Sequence, residues 1–143
     1  MRRQQLVHVA ATWARVGRGD AFAALSDAGF VGGWALGSMG LKPAGEAGVF
    51  TGASIFDGAR VRVRIVPDAA LGLIDFHVGT DTLSPRISIR VTDGPAIGGQ
   101  PGECLIVMTA LRAPGTGQES WDRTCACHEA EILMIRAHLE RLA

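Results

Sequence analysis

Hydrophobic and polar positions alternate along this chain in two rhythms. From 118 to 142 the rhythm is helical. At 100° per residue, Trp121, Cys125, His128, Ile132, Ile135 and Leu139 fall in one narrow stripe, the i, i+4, i+7, i+11 spacing of a buried helix face. Thr116 precedes this run as a candidate N-cap, with Glu119 three positions on, as in a capping box. One member of the stripe is titratable. His128 is either a satisfied core group or the polar fitting of a cavity.

The earlier rhythm has period two. Residues 6–12 predict a first strand, with Val7, Val9 and Ala11 on one side and His8, Ala10 and Thr12 on the other. Gly17 and Gly19 break the chain. Asp20 then caps a short helix over 21–25, and Ser26 or Asp27 caps a second over 28–33, which ends at Trp34. Strand-like runs follow at 36–42, 49–56, 60–66, 71–79, 86–91 and 103–112, divided by Pro, Gly and Asp turn chemistry such as Asp57-Gly58, Pro67-Asp68 and Ser84-Pro85. Connections this short predict hairpins, hence an antiparallel meander.

The middle strands also show which face is buried. Val61, Val63 and Ile65 alternate with arginines; Ile74, Phe76 and Val78 alternate with Asp75 and His77; Ile87, Ile89 and Val91 alternate with Arg86, Ser88 and Arg90. Turns centred near residues 69 and 82 predict Asp75 opposite Arg64 and Arg90, and His77 opposite Arg62 and Ser88. The expectation is a solvent-facing ion ladder, with each pair contributing about 0.2–1 kcal/mol, the alternative being an anion-binding or partner-binding face. The run 103–112 is apolar on both sides, so its inner face stays open. Together with Leu133 and Met134 on the outer side of the helix, it points to a homodimer contact.

Composition narrows the function classes. At 143 residues the whole chain, 1–143, reads as one domain, and 48% hydrophobic against 20% charged residues excludes disorder. Fourteen basic residues balance fourteen acidic ones, so no global field attracts a nucleic acid or an anionic membrane; the one basic cluster is Arg2-Arg3. No apolar run approaches the roughly 20 residues of a membrane span, and the start lacks a signal-peptide core. With three cysteines, an odd number, and two of them adjacent on a helix, the expectation is a reduced, cytoplasmic protein.

The element order is strand, two short helices, strands, then one long C-terminal helix. With the segment from Asp20 to Asp27 leading to Trp34, and Trp121, His128 and Glu131 before Leu139-Glu140, the chain resembles the START-like or Bet v 1-like superfamily (SRPBCC, polyketide cyclase/dehydrase-like). The resemblance implies an α+β helix-grip fold, in which a curved antiparallel sheet of about seven strands wraps the C-terminal helix. It also implies a cavity for a small hydrophobic or aromatic molecule, either carried or altered by cyclase, dehydratase or lyase chemistry without a cofactor. Co-chaperone members with a filled core supply a further alternative, as does a ligand sensor.

Within that frame the expected walls are Trp34, Val63, Phe76, Ile89, Trp121, Cys125 and Ile132, with His128 as general acid or base. Glu131, about 60° off the stripe, is the expected partner at the cavity mouth; Glu103 and Asp57 are further candidates. The competing reading of His128 is a core group hydrogen-bonded to a backbone carbonyl, Thr109 or Thr51. The string Cys125-Ala126-Cys127-His128 does not make a metal site, because Cys127 points about 160° from Cys125 on a helix and leaves two ligands on one face.

Overall fold

The computed structural model describes residues 6–142, so Arg2-Arg3 lies outside the described residues. The elements follow in the order β1 (Val7–Ala14), α1 (Arg18–Leu25), α2 (Ala28–Val31), β2 (Met39–Pro43), β3 (Val49–Ala53), β4 (Arg60–Asp68), β5 (Leu73–Gly79), β6 (Ser84–Asp93), a short 3-10 turn (Gly94–Ile97), β7 (Cys104–Leu111) and α3 (Gln118–Glu140). The strands form one antiparallel sheet in the order β1-β7-β6-β5-β4-β3-β2. This is the helix-grip, α+β architecture. Register breaks in β2–β3 and β5–β6 give local bends, and α3 lies closest to β1 and β7.

The alternation in the middle strands correctly marks the inner face. Val63, Ile65, Ile74, Phe76, Ile89 and Val91 are buried and join Ile132, Ile135 and Leu139 of α3 in one core. The two-sided strand β7 turns Cys104, Ile106, Met108 and Ala110 inward, all 1% exposed or less. On β1 the inward residues are His8, Ala10 and Ala14, while Val7, Val9 and Trp13 face out. Small inward residues explain why α3 sits here: Ala10, Ala14 and Ala110 let the helix approach the sheet. Trp13, 39% exposed, packs one edge of its ring on Gly99, where a Cβ would stand 2.8 Å away.

Several local expectations fail for identifiable reasons. The ion ladder does not form in the predicted register. Arg64 lies opposite His77, Asp75 opposite Val66 and Ser88, and Arg90 opposite Leu73. The β4–β5 turn runs on to Gly72, whose φ of 64° is left-handed, and Asp68 Oδ1 accepts the Leu71 N–H at 3.2 Å. That displaces the pairing by two residues, which keeps every side chain on its face. Arg64 instead pairs with Glu46 at 3.0 Å, and His77 lies 3.5 Å from Asp75 on its own strand.

Helix caps also shift. α1 starts one turn early, capped by Gly17, and Asp20 sits in its first turn, where a carboxylate favours the helix dipole. Asp27 does cap α2, accepting from the Phe30 N–H. α3 is capped by Gly117 without a side-chain bond, the Gly117 carbonyl accepting from the Trp121 N–H at 3.0 Å, while the Thr116 carbonyl accepts from Arg112 Nε and Nη2. Among the described residues no helix is long and apolar enough to cross a membrane.

The core position of α3 predicts a sharp contrast between neighbours. Ile135→Ala, at a fully buried site, should lower unfolding free energy by about 2–5 kcal/mol. Leu133→Ala, 62% exposed, should change it by less than about 0.5 kcal/mol. Urea denaturation of both variants checks this, and equal losses would refute the assigned inner face.

Candidate functional site

α3 presents Thr124, Cys127, His128 and Glu131 toward the mouth of the sheet. The turn after α2, from Trp34 to Ser38, folds over this surface, and Leu36 N–H donates to Glu131 Oε2 at 2.8 Å. A cleft of about 240 Å³ results, with Trp34, Phe56, Val78, Arg123, His128 and Glu131 among its walls. A second, of about 190 Å³, opens beside Trp121, Arg86 and Ala110. Ile87, Thr124 and His128 belong to both and form their shared wall.

His128 and Glu131 are each 4% exposed, and their closest atoms, Nε2 and Oε1, are 3.8 Å apart. That distance exceeds a hydrogen bond. Burial opposes charge on both groups. It pushes Glu131 up to about 7, against the opposing bond from Leu36, and pulls His128 down to about 4, helped by the neighbouring His8. The two therefore meet as neutral groups near pH 6 rather than as a salt bridge. Two buried nitrogens beside the clefts, Trp34 Nε1 and His128 Nδ1, have no protein partner, so neither Thr109 nor Thr51 satisfies the histidine.

The expected wall residues divide. Trp34 and Trp121, each 2% exposed, line the clefts. Val63, Phe76, Ile89 and Ile132 are packed in the core instead, Phe76 meeting the edge of Trp34 at 6.4 Å between centroids. Cys125 lines neither cleft and Cys127 does, because the turn after α2 widens the contact surface of α3 beyond its apolar stripe. Glu131 is correspondingly deeper than a place at the mouth. Glu103 and Asp57 are engaged elsewhere, accepting from Gln100 N–H and Ala59 N–H.

The residue that the sequence pattern missed is His8. Its Nε2 stands 2.9 Å from Glu129 Oε1, and its ring lies 5.8 Å from that of His128. Strand alternation placed it with Ala10, and a small-residue face was the available signal. All three cysteines are free. Among the described residues no cluster of three or more His, Cys, Asp or Glu side chains is placed to hold a metal ion.

No protein-family model and no curated protein matches the sequence. Solved structures do match its fold. A START superfamily protein from Mycobacterium smegmatis aligns with a TM-score of 0.70 at 9% identity, over 96% of this chain and 99% of that one. The Zhui aromatase/cyclase from a Streptomyces species gives 0.69 at 14% identity, over 94% and 93%. The Aha1 dimer from Colwellia psychrerythraea gives 0.68 at 10%, over 94% and 96%. At such identities the likeness establishes the START-like, Bet v 1-like fold and nothing finer.

The neutral pair makes a signed prediction for stability. Glu131 loses its proton near 4.5 when unfolded but near 7 when folded, so its contribution falls as pH rises across that window. His128 titrates near 6.5 unfolded and near 4 folded, so its contribution falls as pH drops across that window. Relative to wild type, Glu131→Gln should gain stability with rising pH between 4.5 and 7, by up to about 1.4 kcal/mol per unit. His128→Gln should lose it with rising pH between 4 and 6.5. Denaturant titrations at stepped pH read both slopes. Slopes of the same sign would rule out the neutral pair.

Proposed function

We propose that the chain binds a small hydrophobic or aromatic metabolite between α3 and the sheet and performs cofactor-independent acid–base chemistry on it, of the cyclase, dehydratase or lyase type. The carrying observation is a carboxyl and an imidazole, both almost fully buried, on the wall of an otherwise largely apolar cleft. With its proton affinity moved to about 7, Glu131 can give or take a proton at neutral pH. His128, held neutral, keeps a lone pair for a proton from carbon or from a hydroxyl. Standing 3.8 Å apart, the two reach adjacent atoms of one ligand, as enolisation followed by ring closure or water loss requires.

The surrounding residues support an amphipathic ligand. Trp34 offers a buried N–H without a protein acceptor, suited to a carbonyl or phenol oxygen. Arg86 and Arg123 line the two clefts, and among the described residues neither is in an ion pair, although Arg123 lies over the Phe56 ring at 5.2 Å. A flat apolar body with an acidic substituent fits both features.

The test is native mass spectrometry with tryptophan fluorescence on a panel of aromatic, polyketide and fatty acids. Wild type should bind at least one flat acid, and Arg123→Ala should weaken it about tenfold more than its neutral amide, a single charge-assisted bond being at stake. Any turnover should fall by about 10²–10⁴ in Glu131→Gln while binding is kept. Binding without turnover would make the protein a carrier or sensor. No binding by wild type, His128→Ala or Glu131→Gln would remove the cleft as the functional site.

A further inference from the structure

The clefts account for His128 and Glu131 but leave His8 and Glu129 without a role. His8 lies on β1 opposite Ala110 of β7, and the missing bulk at Ala110 leaves room for its ring beside that of His128. The two ring centroids are 5.8 Å apart with planes tilted by 37°. His8 Nε2 is 2.9 Å from Glu129 Oε1, a carboxyl group 63% exposed. His8 Nδ1 and His128 Nδ1 are both buried without a protein partner. On the far side His128 Nε2 faces Glu131 Oε1.

We propose that Glu129 and His8 are positioning residues that fix the tautomer of His128, leaving its Nε2 as the unprotonated, basic atom beside Glu131. The proposal rests on the acid–base reading of the cleft and adds which nitrogen acts. An ionised carboxylate only accepts hydrogen bonds, so the 2.9 Å contact to Glu129 requires the proton of His8 on Nε2. The opposite tautomer would set lone pairs against each other at that distance. A neutral imidazole carries one proton, so His8 Nδ1 is then an acceptor. The other buried nitrogen without a protein partner at this ring contact is His128 Nδ1, and it donates to His8 Nδ1 through a small shift of the rings or one bridging water. Either link gives the same tautomers. His128 Nε2 keeps its lone pair and can receive a proton from a ligand.

The chain of polarity thus runs from a solvated carboxylate through two imidazoles to a buried carboxylic acid. The other ionisable neighbours do not reverse it. Arg86 of β6 and Arg123 of α3 line the clefts that His128 shares, and cations there disfavour imidazolium. Cys127, whose thiol burial pushes up, stays neutral beside them.

The experiment is long-range proton–nitrogen NMR of the full chain labelled at histidine nitrogens, ligand-free, at about pH 6.5, below the value of about 7 at which Glu131 loses its proton and above the value of about 4 at which His128 gains one. Wild type should show His8 protonated on Nε2 and His128 on Nδ1. In Glu129→Ala and in His8→Phe the His128 nitrogen shifts should move toward the averaged values of an unconstrained imidazole, and Glu129→Asp should restore them at least in part. A structural role alone would leave the nitrogen shifts in place. Should His8→Phe fail to fold, Glu129→Ala decides, being a surface change. Protonation of wild-type His128 on Nε2, or shifts unchanged in Glu129→Ala, would overturn the proposal. Because no ligand is present, an empty cleft in the binding panel would leave this result standing by itself.

Discussion

The hydrogen bond from the Leu36 amide to Glu131 ties the small-helix segment to α3, and most of the site depends on it. A buried carboxyl without a partner is expensive, so Glu131 tolerates burial only where a donor meets it. The donor comes from the turn that carries Trp34 over the helix. That turn closes one side of the cleft, puts Trp34 against Phe76 and excludes the water that would otherwise ionise Glu131. The same exclusion reaches His128 one turn away. A single backbone bond thus links chain path, cavity wall and proton affinity.

Around this junction the packing is uneven by composition. Below His128, α3 contributes Ile132, Ile135 and Leu139 to a continuous apolar core with Ile74, Ile89 and Ile106. Above it, toward Trp121, the facing positions are Ala110, Ala113, Thr116 and Ser120, and the cleft opens. Small and hydroxylic residues do not fill the space that leucine or isoleucine would, so the helix is gripped firmly at its C-terminal half and loosely at its N-terminal half. Stability and the site are thereby separated along one helix.

The elements legible in the sequence were those set by long, regular patterns. The stripe of α3 and the alternation of β4, β5 and β6 identified buried faces because desolvation of several side chains at once outweighs any local preference. Register was not legible. It turned on Gly72 extending one turn, a local backbone matter, and a shift of two residues leaves the hydrophobic pattern unchanged. Glu131 was placed too far out because a helical wheel assumes a single flat partner, whereas α3 has two, the sheet and the turn after α2. His8 was passed over because the outward positions of β1, Val7 and Val9, are the more apolar ones, opposite to the usual rule. The inward face is small there so that two aromatic rings from β1 and α3 can meet.

That inversion on β1 bears on the chemistry. Filling the space around His8 with apolar side chains would have improved the core by about 0.8 kcal/mol per buried methylene. Instead the fold keeps two imidazoles, a carboxyl group and three unpartnered nitrogens in or beside the clefts, each unpartnered group costing about 1–3 kcal/mol in desolvation. A purely structural histidine would be expected to spend its second nitrogen on a backbone carbonyl, which is always close by in a sheet. Here the rings of His8 and His128 lie 5.8 Å apart with both Nδ1 atoms unpartnered, and burial raises the proton affinity of the Glu131 carboxyl. Such an arrangement lowers stability unless protons or a ligand use it, and that places the weight of the argument on the cleft rather than on the outer face of the sheet.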